Sequence, residues 1–127
     1  NDLGHSIEDR RTNAWRICRL CEHLDLQGIE VVCALLSLFH ETQDWNRAHY
    51  SSYLEVFIDV PMDVLIGRDQ KGLYSGAMSG DVTGVVGVDI PFDPPPRADL
   101  VVYNGDPAAT PGSIADLILA AADSKQQ

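Results

Sequence analysis

An apolar run at residues 29–36 constrains the fold of this chain more than any other feature of its sequence. Its uninterrupted part, Val31 to Leu36, has six residues, whereas a membrane-spanning helix needs roughly 18. A strand that is apolar at successive positions is covered on both faces, which is typical of parallel sheets. The run therefore predicts a buried strand of a parallel sheet, and Ser37 stands at the carboxyl end of that strand.

Helical and strand-like patterns alternate along the rest of the chain. Ser6 and Asp9 are spaced like a capping box, and apolar residues then recur every three or four positions as far as Gly28, which predicts an amphipathic helix. The later predicted elements are a helix over 41–50, a strand over 54–60, a short helix begun by Pro61, a strand over 100–103 and a last helix capped by Thr110 and Pro111. This alternation predicts one α/β domain over residues 1–127, with a parallel sheet flanked by helices and a ligand site at the carboxyl ends of its strands.

Charge and cysteine content narrow the function classes. The chain has 127 residues, with 9 Lys and Arg against 19 Asp and Glu and a net charge of −10, so nucleic acid is not an expected partner. A membrane is not an expected partner either, because no apolar run is long enough to span one. An odd three cysteines without a secretory signal predict free thiols in the cytoplasm. Cys18 and Cys21 form a CxxC pair, but zinc needs a second pair and only Cys33 remains, so we interpret the cysteines as core thiols.

Candidates for phosphate binding gather at the predicted carboxyl edge of the sheet. Arg68 and Lys71 supply positive charge, and the glycines of residues 80–87 can present backbone amides to an anion. A solvated loop with ordinary turn glycines explains the same residues, so both interpretations stay open here. Between residues 71 and 96 the sequence has five glycines and four prolines without periodicity, which predicts an irregular lid or loop.

The Walker A pattern G-x-x-x-x-G-K-[ST], whose backbone and lysine hold the phosphates of ATP, does not occur in this sequence. Gly67 and Gly72 have its glycine spacing, but Leu73 follows where the pattern requires Lys. No P-loop is therefore predicted within residues 1–127.

Several spaced motifs nevertheless resemble the adenylylsulfate kinase family. Residues 2–6, followed by Asp9, Arg10 and Asn13, are similar to its "DLGFS..DR..N" segment. The resemblance then continues in order: residues 34–37 look like the strand that ends in "ISP", residues 53–61 like "FVEVFVDVP", residues 68–74 like "RDPKGLY", and Gly84, Gly87 and Asp89 like "GFTGID". It covers nearly the whole chain.

This resemblance implies a P-loop kinase fold, with Mg²⁺ and ATP as the phosphate donor and the 3′-hydroxyl of adenylylsulfate as the acceptor. In that family the first strand, the Walker A loop and the first helix precede the "DLGFS" segment. The chain is accordingly expected to lack them, to bind ATP and Mg²⁺ mainly through that missing segment, and to be inactive alone. The segment around 71–96 is expected to form the lid. A homodimer is compatible with this expectation.

The resemblance also implies roles for individual residues that hold the nucleotide substrate. Arg10 would pair with its phosphate, and Asn13 would hydrogen-bond nearby. Leu36 offers a backbone contact, and the Ser37 hydroxyl would lie close to the transferred phosphoryl group. Lys71 matches the lid lysine, so that Ser37 and Lys71 are the candidate catalytic residues.

The expected base contacts depart from the family pattern. Arg68 matches the arginine that packs on the adenine of ATP, and Pro107 lies in the loop that borders the same ring. On the substrate side, His5 replaces the Phe of "DLGF", while Val85, after Gly84, replaces the aromatic residue of "GFTG". Loss of these two rings removes stacking on the adenine of adenylylsulfate.

Three functions are therefore compatible with the sequence. The first is a kinase that phosphorylates adenylylsulfate in sulfate assimilation. The second is a related kinase that acts on a cytidine diphosphate derivative in surface-polysaccharide biosynthesis, a branch to which residues 44–47 and 85–87 look closer. The third is a non-catalytic nucleotide-binding remnant of such a kinase.

Overall fold

A computed structural model describes residues 2–69 and 71–125 of the chain. Its backbone contacts divide the chain into two units, Asn1–Tyr53 and Leu54–Gln127. The single domain expected over residues 1–127 stays a prediction. Among the described residues, no helix is long and apolar enough to cross a membrane.

The first unit is built on two helices, α1 (Ile7–Asp25) and α2 (His40–His49). At the start of α1, Ser6 Oγ accepts a hydrogen bond from Asp9 N at 3.1 Å and donates one to Asp9 Oδ2 at 2.7 Å. A side-chain cap of this kind satisfies an amide that has no partner within the helix. The predicted helix start is therefore confirmed.

Aromatic residues pack α2 against α1. The ring of Trp45 meets that of Trp15 edge-on, with centroids 5.8 Å apart, and the Arg19 guanidinium lies 4.4 Å from the Trp45 ring centroid. Just after α2, Tyr50 Oη donates to the Cys18 carbonyl at 3.0 Å. These contacts fix the two helices relative to each other within the first unit.

The strand predicted at residues 29–36 is wrong for the described structure. The segment has no regular secondary structure, and its apolar side chains are exposed, to 98% at Val32 and 59% at Leu36. A strand exists only where a neighbour completes its ladder of backbone hydrogen bonds. Within the described ranges 2–69 and 71–125, no backbone ladder pairs with this segment, so apolar composition alone does not make it a strand.

The three cysteines differ in their exposure to solvent. Cys18 is 4% exposed, as predicted for a core thiol, but Cys33 lies in the exposed segment and its interpretation as a core residue is wrong. Cys21 is intermediate, and its Sγ lies 3.5 Å from Cys33 Sγ. All three cysteines are free thiols, as predicted.

The second unit contains a parallel sheet. Strand β1 (Val56–Asp59) pairs with β2 (Leu100–Tyr103), so that Val56 lies opposite Leu100 and Asp59 opposite Tyr103. The described residues form two strands rather than the three predicted, but both lie where the sequence placed them and the pairing is parallel, as expected. The α/β class is therefore confirmed.

Three helices accompany this sheet: α3 (Met62–Gly67), α4 (Leu73–Ser79) and α5 (Pro111–Lys125). Pro61 precedes α3 as predicted, and Thr110 Oγ1 accepts from Ser113 N at 3.2 Å at the start of α5. Helix α4 falls inside the stretch 71–96 that was expected to be irregular, so this expectation is wrong for its seven residues.

Asp99 ties together the elements of the second unit. Its backbone N–H donates to the Glu55 carbonyl at 2.9 Å, and its Oδ2 accepts from the Glu55 N–H at 2.8 Å. The other carboxylate oxygen, Oδ1, lies 2.8 Å from Lys125 Nζ at the end of α5. One side chain thus joins the starts of β1 and β2 to the last turn of the final helix.

Candidate functional site

A cavity of about 180 Å³ in the first unit brings together residues predicted to bind the substrate. Arg10, Asn13, Ala14 and Ile17 line it from α1, because positions three, four and seven apart share one face of a helix. Leu35 and Leu36 complete the lining from the exposed segment. Leu36, which is distant in sequence from Arg10 and Asn13, therefore meets them at one cavity. Their predicted role in substrate binding stays a prediction.

The arginine of this cavity is oriented by the turn before α1. Arg10 Nε donates to the His5 carbonyl at 2.9 Å, so one donor of its planar fork is fixed to the backbone. The His5 side chain is exposed and is not part of the cavity lining. His5 thus contacts this site through its backbone, while its predicted role as a base-pocket side chain stays a prediction.

Ser37 follows the cavity residue Leu36 and is held by α2. Gln43 Nε2 donates to Ser37 Oγ at 3.1 Å, and the Gln43 residue is only 7% exposed. One residue earlier on α2, Thr42 Oγ1 donates to the Phe39 carbonyl at 2.7 Å. The backbone between Ser37 and Phe39 is therefore anchored at both ends by the first turns of α2.

Arg11 anchors the same loop from α1. Its guanidinium lies 4.4 Å from the centroid of the buried Phe39 ring and forms an ion pair with Glu41 at the start of α2. Thr42 and Gln43 were not predicted as site residues, because a polar helix gives no sign of which of its polar residues will be buried.

The second unit carries the predicted lid lysine and its neighbours. Arg68 ends α3, and Lys71 is exposed just before α4. The Asp69 carboxylate accepts from Ser75 N at 2.8 Å, from Ser75 Oγ at 2.7 Å and from Tyr74 N at 3.2 Å. The Ser75 N–H holds the pKa of Asp69 below its ordinary value. Asp69 thus caps α4 across the turn that carries Lys71.

Gly84 and Val85 lie in a loop that Asp89 shapes. The two Asp89 carboxylate oxygens each accept a backbone N–H at 2.6 Å, one from Gly84 and one from Val85. The Gly84 N–H is the main cause of the lowered pKa of Asp89. The turn needs φ 79° at Gly84 and 85° at Gly87, which residues with a side chain rarely adopt. Val85 is 9% exposed, so its side chain is buried within this unit.

A second cavity, of about 330 Å³, lies beside the carboxyl end of β1. Its lining is almost entirely apolar and comes from β1, the loop after β2 and α5: Ile58, Asn104, Ala109, Pro111, Ile114, Ala115 and Ile118. Pro107 is exposed in the turn between Asn104 and Ala109, where Asp106 Oδ1 accepts from Ala108 N at 2.8 Å. Pro107 therefore borders this cavity by position in the loop, without lining it.

The parallel α/β fold of the described residues is that of the P-loop kinase class. A family model described as adenylylsulphate kinase matches residues 1–103. The chain belongs to the adenylylsulfate kinase family, as its motifs predicted.

Individual relatives carry two different names. A cytidine diphosphoramidate kinase of Campylobacter jejuni is 42% identical over 105 residues, which cover 80% of this chain and 61% of that protein. An adenylyl-sulfate kinase of Chloroflexus aurantiacus is 40% identical over 98 residues, which cover 77% of this chain and 53% of that protein. The chain thus spans 61% and 53% of the lengths of these two relatives.

A solved structure supports the fold. The adenylylsulfate kinase of Mycobacterium tuberculosis, solved in complex with AMPPNP and APS, is similar with a TM-score of 0.84 and 28% sequence identity. The similarity covers 96% of this chain and 71% of that one. The predicted kinase-like α/β architecture is confirmed by this likeness.

Proposed function

We propose that the protein carrying this chain is a kinase that transfers the γ-phosphoryl group of ATP to the 3′-hydroxyl of adenylylsulfate. Family membership supports the reaction class. The observation that carries the proposal is the cavity of the first unit, because Arg10, Asn13 and Leu36 line it together. These are three of the residues that the motifs assign to the nucleotide substrate.

Arg10 and Asn13 supply the recognition in this proposal. A guanidinium meets a phosphate through parallel N–H donors, and the bond from Arg10 Nε to the His5 carbonyl limits how that fork can turn. Asn13 adds an amide that can donate or accept. In a chain with a net charge of −10, an anionic nucleotide is bound through a few well-placed cations rather than through general attraction.

Phosphoryl transfer asks the protein mainly for positioning and charge neutralisation. The 3′-oxygen of the nucleotide forms a bond to the γ-phosphorus and releases its hydroxyl proton, while the bond from that phosphorus to ADP breaks and ADP leaves. We assign Ser37 and Lys71 as donors to the oxygens of the transferred group. Ser37 is suited to this role by its fixed place next to Leu36, and Lys71 by its exposed ammonium on the lid.

The residues of this chain fit only part of an ATP site. Arg68 and Pro107 are proposed to contact the adenine, but the sequence has no Walker A loop for the phosphates. Among residues 2–69 and 71–125, no group of three His, Cys, Asp or Glu side chains is placed to hold a metal ion. The triphosphate and Mg²⁺ therefore have no proposed ligands among the described residues.

A second candidate substrate is a cytidine diphosphate derivative. It is favoured by the 42% identical relative, which is named a cytidine diphosphoramidate kinase, and by His5 and Val85 at positions where the family has aromatic rings. An imidazole can hydrogen-bond the edge of a base, whereas the family's rings stack on adenine. A smaller pyrimidine would lose less from the missing stacking surface.

The experiment that tests the proposal compares both substrates. The protein is expressed with the reading frame upstream of Asn1, and kcat/KM is measured with Mg-ATP for adenylylsulfate and for cytidine diphosphate derivatives. Higher kcat/KM for adenylylsulfate supports the first candidate, and the reverse order supports the second. Absence of a Walker A loop upstream, with no turnover of either nucleotide, identifies the non-catalytic remnant.

Paired aromatic substitutions refine the test. If both positions border the base, His5→Phe with Val85→Phe raises kcat/KM for adenylylsulfate relative to the cytidine substrate. Leu119→Phe, at a 61% exposed position of α5, is the matched control. Thermal midpoints are measured alongside, because Val85 is buried and a larger side chain strains its packing. An unchanged preference in a folded double variant removes these positions from the base pocket.

We place the reaction in the cytoplasm, because all three cysteines are free thiols. Sulfate assimilation is the corresponding pathway for the first candidate. A homodimer remains a prediction.

A further inference from the structure

Gln43 is a buried polar residue that contacts Ser37, one of the residues assigned to phosphoryl transfer. It lies in the second turn of α2, is 7% exposed, and donates from Nε2 to Ser37 Oγ at 3.1 Å. The nitrogen of a side-chain amide has two hydrogens and acts only as a donor. The Ser37 oxygen is therefore the acceptor in this contact.

The direction of this hydrogen bond determines what Ser37 can offer a ligand. A hydroxyl has a single hydrogen and two acceptor positions. Because Gln43 occupies an acceptor position, the hydrogen of Ser37 is not used between these two side chains and is left to be donated elsewhere. Ser37 directly follows Leu36, which lines the cavity with Arg10 and Asn13. An anionic oxygen bound at this cavity would accept a strong hydrogen bond from a hydroxyl donor.

The surroundings show that this contact is built into the loop. Thr42 is 3% exposed, and its hydroxyl donates a hydrogen bond to the Phe39 carbonyl. The Arg11 guanidinium lies 4.4 Å from the centroid of the Phe39 ring. These two contacts hold the loop at Phe39, two residues after Ser37, and neither involves Gln43. A substitution at Gln43 consequently changes the partner of the Ser37 hydroxyl more than it changes the path of the loop.

We propose that Gln43 is a positioning residue for phosphoryl transfer: its amide fixes the Ser37 oxygen as an acceptor and so directs the Ser37 hydrogen to an oxygen of the transferred phosphoryl group. This inference rests on the proposed kinase function. It adds a determinant that acts through Ser37 and has no contact of its own with the substrate.

The test replaces the Gln43 donor by side chains of similar length that cannot donate to Ser37 Oγ. In the protein expressed with its upstream reading frame, kcat and KM are measured for Gln43→Glu, whose carboxylate only accepts, and for Gln43→Met, which does neither. Gln43→Arg restores a donor without an acceptor. Gln27→Glu, the same change at an exposed turn residue, is the matched control.

The expected result is a selective loss in turnover. Gln43→Glu lowers kcat about tenfold or more, a fraction of the about 10²-fold loss typical when a preorganised donor is removed outright, while KM for both substrates changes less than about threefold. Gln43→Met shows a similar loss, and Gln43→Arg recovers most of it. Combined with Ser37→Ala, Gln43→Glu adds less than about twofold, because both changes remove the same donor.

Several outcomes overturn the inference. A folded Gln43→Glu or Gln43→Met protein with unchanged kcat does so, as does a full additional loss on top of Ser37→Ala. Should the buried carboxylate prevent folding, kcat of the neutral Gln43→Met variant decides between the outcomes, with the thermal midpoint confirming its fold. If the unsubstituted protein phosphorylates no nucleotide, the proposed function fails and the inference with it. A working kinase that is insensitive at Gln43 refutes the inference alone.

Discussion

Replacement of Asp99 by Ala should destabilise the second unit. The substitution removes the acceptor for the Glu55 N–H at 2.8 Å and the partner of Lys125 Nζ at 2.8 Å. It keeps the backbone bond from Asp99 N to the Glu55 carbonyl. The expected loss therefore measures the carboxylate and not the pairing of the strands.

The size of the loss follows from the exposure of the two contacts. A hydrogen bond to a charged acceptor is worth about 1.5–3 kcal/mol, and the Glu55 residue is 8% exposed, so its amide has little access to water. The ion pair is partly solvated, with side-chain exposures of 35% at Lys125 and 19% at Asp99, and adds up to about 1 kcal/mol. The unit should lose about 1.5–4 kcal/mol, a large share of the stability of a small fold.

The assay must read each unit separately. Both tryptophans, Trp15 and Trp45, lie in the first unit, so their fluorescence in urea reports that unit. Amide hydrogen exchange of β1 and β2 reports the second unit. Lys125→Met isolates the ion pair and should cost at most about 1 kcal/mol, while Asp116→Ala, at an exposed position of α5, is the control. Strand protection within about 0.5 kcal/mol of the parent protein in Asp99→Ala refutes the reasoning.

Four further predictions concern binding, catalysis, pH and reactivity. The chain of residues 1–127, without a Walker A loop, should bind Mg-ATP weakly and turn over nothing; low-micromolar affinity by calorimetry contradicts this. In the protein with its upstream segment, Lys71→Ala should lower kcat about 10²-fold with an unchanged thermal midpoint, and Lys71→Arg should not fully restore it; normal kcat dismisses Lys71. Because the Gly84 N–H lowers the pKa of Asp89, the stabilisation of that loop is present above the ordinary pKa of 3.8 and is lost as pH falls through the lower folded value; loop amide signals in NMR that change at or above pH 3.8 contradict it. Exposed Cys33 should be alkylated before Cys21, whose pKa burial raises to about 11; peptide mapping that finds Cys21 modified first refutes this.

Features that depend on residues close together in sequence were predictable. Side-chain caps depend on neighbours within a few positions, so Ser6 and Thr110 marked the starts of α1 and α5 correctly. The strand at residues 100–103 was located to the residue. Helix α4 was missed because its cap, Asp69, lies before a glycine turn and reaches forward to the amides of Tyr74 and Ser75.

Properties set by distant partners were not predictable from composition. The run at residues 29–36 has the composition of a buried strand, but pairing depends on a neighbour and none of the described residues pairs with it. At the site, helix periodicity explains why Arg10 and Asn13 share a face, and the motifs supplied Leu36 and Ser37. Gln43 remained hidden, because only the tertiary structure decides which polar residue of α2 is buried.

The exposed segment at residues 29–36 also determines how this chain behaves at high concentration. Residues 31–36 are six successive apolar residues without charge or proline, two of them β-branched. Such a segment stacks into intermolecular β-structure when it is accessible. The net charge of −10 keeps molecules apart near neutral pH, but acidification neutralises carboxylates and removes that repulsion. Colloidal stability of the chain is therefore highest at neutral or alkaline pH and low ionic strength, the conditions under which like-charge repulsion between molecules is strongest.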